Sequence, residues 1–358
     1  MKNNYYKYLS KVAKSVNPYQ WEGAELGKSL RFDANTIPFP PRSLAIFLED
    51  MKKNCPINEY TDPSYRRLKQ LIAQYEGVNT GMITVTNSGD EGIDILAKTF
   101  LNTNDYFIVT PPTYEMFTIQ CEINKGKLLE VPLIKKTFEV DAEKIIWESK
   151  NKKVKLIFLC NPNNPTGTVI PSKTIEKIIR ESSSIIVVDE VYREFYGKSS
   201  VPLLSKYSNL VILRSFSKFA AIAGARVGYL IANPFLTQKF ESIRLPMGVS
   251  SFSAKLAEVV MEKDRDWIRQ QVKMIIKERK RLTQELNDLG FYVICSQSNF
   301  LLVRLGQQAK IICKKLKQRG IVIRDRSDKK YLEGCVRITV RSPKENNRLI
   351  RTLKEILL

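Results

Sequence analysis

The chain has 358 residues, 43% hydrophobic and 27% charged, with 16 Gly and 16 Pro. That is the composition of a folded globular protein of about two domains, and it excludes disordered, collagen-like and disulfide-stapled classes. Lys and Arg number 58 against 37 Asp and Glu, a formal net charge of +21, and there is no histidine, which removes Ser-His-Asp and Cys-His nucleophile activation, HExxH zinc sites and imidazole relays.

The basic residues are scattered, as in Lys135-Lys136, Lys152-Lys153 and Lys314-Lys315, with no arginine-rich tail and no RNP-type aromatic motif. A solvated basic surface that attracts anionic substrates is expected, without nucleic-acid binding. The six cysteines, 55, 121, 160, 295, 313 and 335, form no CxxC pair and read as reduced core thiols with no metal site.

In chain order, Met1 to Val16 carries lysines and tyrosines without an apolar run, so no secretory leader is expected, and nothing later approaches the roughly 18 apolar residues of a membrane span. The expected compartment is the cytoplasm. Gly23-Ala-Glu-Leu-Gly27-Lys28-Ser29 is one residue short of the phosphate-binding GxxxxGK[ST] pattern and follows no strand, so it reads as a turn. Residues 1–40 run into the proline-rich stretch Ile37-Pro38-Phe39-Pro40-Pro41 and are expected to lie across two domains.

From 41 to 246, short β-branched runs alternate with helical patterns. Strands are expected at 82–86, 106–110, 127–131, 155–160, 184–188, 210–213 and 227–232, and helices at 91–100, 114–124, 141–149 and 172–181. This predicts an α/β large domain with a mostly parallel seven-stranded sheet and helices on both faces. Residues 247–358 predict a smaller α+β domain. It comprises a long helical stretch at 253–289, then strand 299–304, helix 308–319, strands 321–324 and 336–340, and a terminal helix at 344–357.

Ligands of such sheets collect at the carboxyl ends of the strands. One strand runs into Asp189-Glu190-Val191-Tyr192, another into the turn Asn161-Pro-Asn-Asn164-Pro-Thr-Gly167, and a third into Arg214-Ser215-Phe216-Ser217-Lys218, with Arg226 eight residues beyond the lysine. Singly these read as a helix cap, a loop and a surface lysine. Jointly they are the parts of a pyridoxal phosphate site. Lys218 would be the amine for the Schiff base and Asp189 the partner of the pyridine nitrogen. Asn164 and Tyr192 would be donors to the phenolate oxygen, and Ser215, Ser217 and Arg226 would hold the phosphate.

With Pro111-Pro-Thr-Tyr-Glu-Met-Phe117 and Ser88-Gly-Asp-Glu-Gly92, these motifs resemble the fold-type I pyridoxal-phosphate aminotransferases of class I/II, most closely the histidinol-phosphate aminotransferase group. The resemblance covers nearly the whole chain. It implies that Lys218, Asp189 and Tyr192 are catalytic and that Lys218 carries the cofactor and shuttles the substrate's proton. Gly89, Asp90 and Glu91 would open a helix whose backbone N–H groups receive the phosphate. Tyr114 would stack on the ring. Tyr60, in Asn58-Glu-Tyr-Thr-Asp-Pro63, would reach into the neighbour's site in a homodimer with shared active sites. Arg324 and Arg337 would hold the substrate's phosphate and carboxylate, guanidinium forks suiting such anions, and Tyr19 would close over the substrate. Asn35 lies in Asp33-Ala-Asn35-Thr-Ile-Pro38, which departs from the family's Asn-Glu-Asn-Pro pattern by losing the acidic residue. The implied activity moves the amino group of histidinol phosphate, or a similar phosphorylated amine, to 2-oxoglutarate. The alternatives are a threonine-phosphate decarboxylase-like or aromatic aminotransferase activity, or a catalytically silent basic binding protein.

Overall fold

A computed structural model of the chain describes residues 5–15, 28–54, 57–151 and 153–358. Its elements begin with α1 (Lys11–Ser15), β1 (Leu30–Phe32), α2 (Leu44–Asn54), α3 (Arg66–Glu76), β2 (Ile83–Thr86), α4 (Ser88–Phe100), β3 (Tyr106–Val109), α5 (Glu115–Ile123) and β4 (Lys127–Glu130). They continue with α6 (Ala142–Asn151), β5 (Val154–Cys160), α7 (Ser172–Glu181), β6 (Ile185–Asp189), β7 (Leu210–Ser215), α8 (Phe216–Phe219), β8 (Gly228–Ile231) and α9 (Pro234–Ile243). The last are α10 (Ser251–Lys263), α11 (Arg265–Asp288), β9 (Tyr292–Val293), β10 (Phe300–Arg304), α12 (Ala309–Gln318), β11 (Ile321–Asp325), β12 (Cys335–Thr339) and α13 (Pro343–Leu357).

Seven strands form one sheet in the order β2-β8-β7-β6-β5-β3-β4. Only β8 runs against its neighbours. The central strands are apolar at nearly every position because helices cover both faces. Alternation along each strand divides them between two cores. Leu156, Phe158, Val187, Val211 and Leu213 face one side with α4, α5 and α9, and Ile157, Leu159, Ile186, Val188 and Ile212 face the other. The architecture is the expected α/β fold.

A second sheet has five strands in the order β1-β11-β12-β10-β9. Here β1, from the amino-terminal part of the chain, pairs in parallel with β11 from the carboxyl-terminal part, Leu30 lying opposite Ile321. That pairing delivers residues 33–36 to the space between the two sheets. The expected single helix at 253–289 is two helices, α10 and α11, parted at Asp264. The Asp264 carboxylate accepts hydrogen bonds from the Ser43 backbone N–H at 3.0 Å and hydroxyl at 2.6 Å, a tertiary tie that overrides uninterrupted helical propensity. No helix among the described residues is long and apolar enough to cross a membrane.

Candidate active site

A cavity of about 360 Å³ opens at the carboxyl edge of the large sheet and is roofed by residues of the small one. Each strand end contributes a different chemistry. The β6 strand ends in Asp189, 5% exposed. Its carboxylate accepts the Val191 backbone N–H at 3.0 Å, and the Cys160 thiol at the end of β5 lies 3.9 Å from its other oxygen. Burial pushes this carboxyl up to about 7; the Val191 N–H and the charge of Arg214 oppose the rise, and Asp90 and Glu190 add to it.

The β7 strand turns at Ser215 into the short helix that bears Lys218. Ser215 caps that helix, its hydroxyl accepting the Ser217 backbone N–H at 3.2 Å and donating to the Ser217 hydroxyl at 2.9 Å. Lys218 Nζ donates to the Ala34 carbonyl at 3.0 Å, across from the small sheet. Enclosure pushes the amine down to about 8, helped by Arg337 and Arg226 and opposed by Asp90 and Asp189. A buried acid and a buried amine, each displaced toward neutrality, thus line one cavity.

At one end of the cavity, α4 begins with Ser88, Gly89 and Asp90. Arg226 Nη2 donates to the Ser88 hydroxyl at 2.7 Å and to Asp90 Oδ2 at 2.8 Å, and the Tyr114 hydroxyl donates to Asp90 Oδ1 at 2.8 Å. Asp90 therefore organises Arg226 and Tyr114 with its side chain while its backbone N–H donates to the Ser88 hydroxyl at 3.3 Å. Together with Ser215 and Ser217 this end forms a cup of hydroxyls, a guanidinium and a helix N-terminus, suited to a phosphate. Gly228 makes the cup possible, because a Cβ there would lie 2.5 Å from the Ser88 carbonyl carbon and 2.8 Å from the Gly89 nitrogen.

On the opposite wall, Tyr192 is buried edge-on against Phe300, ring centroids 5.1 Å apart, and its hydroxyl accepts from Asn35 Nδ2 at 3.0 Å. Burial pushes the phenol up, against the opposing charge of Arg337. Asn35 is held by the Thr339 hydroxyl at 2.9 Å and by Asn299 Nδ2 at 2.9 Å. Arg337 donates to Asn164 Oδ1 at 2.7 Å and to the Asp33 carbonyl at 2.5 Å. Arg324 lies directly opposite Arg337 in the β11–β12 register, and both are buried and line the cavity.

Thirteen of the residues singled out in the sequence meet here: Asn35, Gly89, Asp90, Tyr114, Asn164, Asp189, Tyr192, Ser215, Ser217, Lys218, Arg226, Arg324 and Arg337. Three do not. The Glu91 side chain is turned away to accept the Asn87 backbone N–H and cap its own helix. Tyr60 is 88% exposed and lies at a separate groove beside α2 and α10. Tyr19 falls outside the described residues, as do positions 23–27 of the glycine-punctuated turn. Sequence reasoning missed Ser88 and Cys160 as cavity residues. Both carried a signal, one sitting at a helix start and the other at a strand's carboxyl end.

The aminotransferase class I and II family model matches residues 29–353. The chain belongs to this family. A histidinol-phosphate aminotransferase of Thermoanaerobacter sp. (strain X514) is 37% identical to this family member over 92% of the present chain and 93% of its own. Among solved structures, the histidinol-phosphate aminotransferase of Clostridium acetobutylicum superimposes with a TM-score of 0.83 at 28% identity, covering 91% of this chain and 98% of that one. The Sinorhizobium meliloti histidinol-phosphate aminotransferase, solved in complex with pyridoxal-5'-phosphate, has the same fold, with a TM-score of 0.88 at 24% identity and 98% coverage of both chains.

Proposed function

We propose that this aminotransferase uses pyridoxal 5'-phosphate to move the amino group of histidinol phosphate, or a similar phosphorylated amine, to 2-oxoglutarate. The observation that carries the reading is the Asp189 carboxylate, buried on the cavity wall with no lysine or arginine paired to it among the described residues. Such a group is costly unless a cation arrives, and a protonated pyridine nitrogen is that cation. The rest of the donor set fits the same molecule. Lys218 would hold it covalently, Asn164 and Tyr192 would flank its phenolate, and Tyr114 its ring. Ser88, Ser215, Ser217, Arg226 and the backbone of Gly89 and Asp90 would hold its phosphate.

The chemistry supplied by the bound cofactor is an electron sink for charge developing at the substrate's alpha carbon. The chain's own residues do the rest. With its amine near 8, Lys218 is roughly one-quarter neutral at pH 7.5, against roughly 0.1% for an ordinary lysine. As a free amine it would take the proton from the substrate's alpha carbon and carry it on Nζ to the cofactor's aldehyde-derived carbon, across the bridging nitrogen. Arg324 and Arg337, side by side on antiparallel strands, supply two buried forks for the phosphate of the donor and the carboxylate of the acceptor.

The same reading divides the chain into a spanning segment (1–40), a large cofactor domain (41–246) and a small domain (247–358), and makes the working form a cytoplasmic homodimer. Support for the second copy comes from Tyr60, which is exposed and lies outside its own chain's cavity, in a groove it shares with Met51 and the exposed Phe252. A second copy would bury this apolar face and receive Tyr60 at its phosphate cup.

The test incubates the purified protein with histidinol phosphate, phenylalanine or threonine phosphate, each with 2-oxoglutarate. Glutamate formed from the first alone supports the proposal. Glutamate from phenylalanine, or carbon dioxide from threonine phosphate, replaces the proposed donor, and a colourless protein unaffected by borohydride overturns the cofactor assignment.

A further inference from the structure

Beneath the cavity lies a cluster of charges that does not touch it. Arg214 is completely buried, four residues before Lys218 on β7. Alternation along that strand sends Leu213 and Ser215 to the cavity and Arg214 to the opposite face. There its guanidinium is divided three ways. Nη1 donates to the backbone carbonyl of Glu190, the residue after Asp189; Nη2 donates to Glu194; and Nε donates to Glu76 Oε1 at 3.2 Å. The Tyr229 hydroxyl donates to the same Glu76 oxygen at 2.6 Å and the Tyr75 hydroxyl to Glu194 at 3.0 Å, while Arg193 lies 3.4 Å from both carboxylates. Burial raises the Glu76 carboxyl, and Arg214 and Arg193 outweigh it, so Glu76 stays ionised.

A buried ion cluster is a poor way to gain stability, since well-packed apolar residues of equal volume serve as well or better. Its placement suggests another use. The turn that carries Asp189 is bonded to β7 at two points, by the Glu190 N–H on the Leu213 carbonyl at 2.9 Å and by Arg214 on the Glu190 carbonyl. Several groups face Asp189. Cys160 comes from β5, Glu190 and Tyr192 from its own turn, Asp90 from α4, and Tyr114 from the head of α5; Lys218 lies across the cavity and Arg214 below it. Asp90 and Glu190 repel the carboxylate's charge, and Arg214 is the cation fixed on its protein side.

We propose that Arg214 is a positioning residue for transamination: through Glu190 it fixes the Asp189–Tyr192 turn, and from outside the cavity it supplies the field that keeps the Asp189 carboxylate charged toward the cofactor's ring nitrogen. The proposal rests on the pyridoxal phosphate reading of the site. Glu76 and Glu194 tune that field by partly neutralising it.

The test uses the full-length protein and two variants that change the field in opposite directions. Arg214→Gln with Glu76→Gln removes one charge of each sign, so no extra buried carboxylate is left unpaired. Glu76→Gln alone leaves Arg214 less neutralised. For the double variant, the dissociation constant for pyridoxal phosphate rises about 10-fold and the acid limb of the kcat profile moves up by about one pH unit; in Glu76→Gln the limb moves down. Turnover with a cofactor analogue methylated on the ring nitrogen, whose positive charge is permanent, rises relative to the natural cofactor by about 10-fold in the double variant. A purely structural role would move both variants' limbs the same way, or neither, and would leave that ratio at the wild-type value; either result overturns the proposal. If the double variant does not fold, judged by circular dichroism, the direction of the Glu76→Gln shift decides. Asp189→Asn separates the two readings. Unchanged cofactor affinity there overturns the site assignment and this proposal with it, whereas a responsive Asp189→Asn beside unresponsive Arg214 and Glu76 variants overturns Arg214's role alone.

Discussion

Replacing Asp189 by Asn removes a charge and almost no volume, and its effect on stability should have opposite signs with and without cofactor. In the cofactor-free protein, burial lifts this carboxyl from 3.8 to about 7. The folded state therefore holds a proton between roughly pH 4 and pH 7 that the unfolded chain has released, so this group makes stability fall as pH rises through that window. Above pH 7 the full penalty applies, about 3 pH units or ~4 kcal/mol as an upper bound. Asparagine has no charge to bury, and its side-chain oxygen can still accept the Val191 N–H. The variant without cofactor should be more stable than the parent by up to ~4 kcal/mol at pH 8 and by close to nothing at pH 4. For a chain of 358 residues that corresponds to roughly 5 °C in Tm. With pyridoxal phosphate bound, the parent gains a cation beside the carboxylate and the variant does not, so the ligand-induced rise in Tm should shrink and turnover should fall. Thermal melts of both proteins at pH 4.5 and pH 8, with and without cofactor, measure all of this. A cofactor-free variant no more stable than the parent at pH 8, or a difference that is the same at both pH values, would refute the account of Asp189 as an unneutralised buried charge.

Three further outcomes follow from the same geometry. In the cofactor-free protein, acylation of Lys218 by an amine-selective reagent should show a midpoint near pH 8, read by peptide mass spectrometry, with surface lysines two or more pH units higher. Because the folded amine is depressed, this group makes stability rise with pH between about 8 and 10.5, a rise that Lys218→Met should remove along with turnover. Gly228→Ala would drive a methyl into the Ser88 and Gly89 backbone, costing about 1–3 kcal/mol of stability and weakening pyridoxal phosphate at least 10-fold by fluorescence titration; unchanged affinity would mean that the Ser88–Asp90 turn is not the phosphate cup. Arg337→Gln keeps a donor for Asn164 but loses the guanidinium fork, so KM for 2-oxoglutarate should rise on the order of a hundredfold with a much smaller change in kcat. A KM unchanged within a factor of two would remove Arg337 from substrate binding.

What could be read from the sequence, and what could not, divides along a physical line. Lys218, Asp189 and Asn164 were legible because each lies at, or within five residues of, the end of an apolar run that reads as a buried strand, and parallel sheets collect such positions at one edge. The terminal helix and α7 were equally plain from their period. The Asp264 break was not, since nothing local interrupts the helix and its cause, Ser43, lies 221 residues earlier. Nor was the tie of Arg337 to the Asp33 carbonyl, which joins residues 304 apart through a strand of only three residues, β1, too short to show a period.

Arg214 is the instructive case. It stands in the sequence as the first letter of a motif whose later polar letters, Ser215, Ser217 and Lys218, line the cavity, and motif reading ranks residues by what they touch. The opposite inference was available. A charge inside an otherwise apolar strand must either be paired beneath the sheet or break it, so Arg214 predicted buried carboxylates on the far face, with Glu76 and Glu194 supplied by a helix end and by the turn after Asp189. Chemistry at the strand ends becomes visible when the strand-end residues are read together. The field those ends work in is set one layer below, by side chains that sequence motifs do not name.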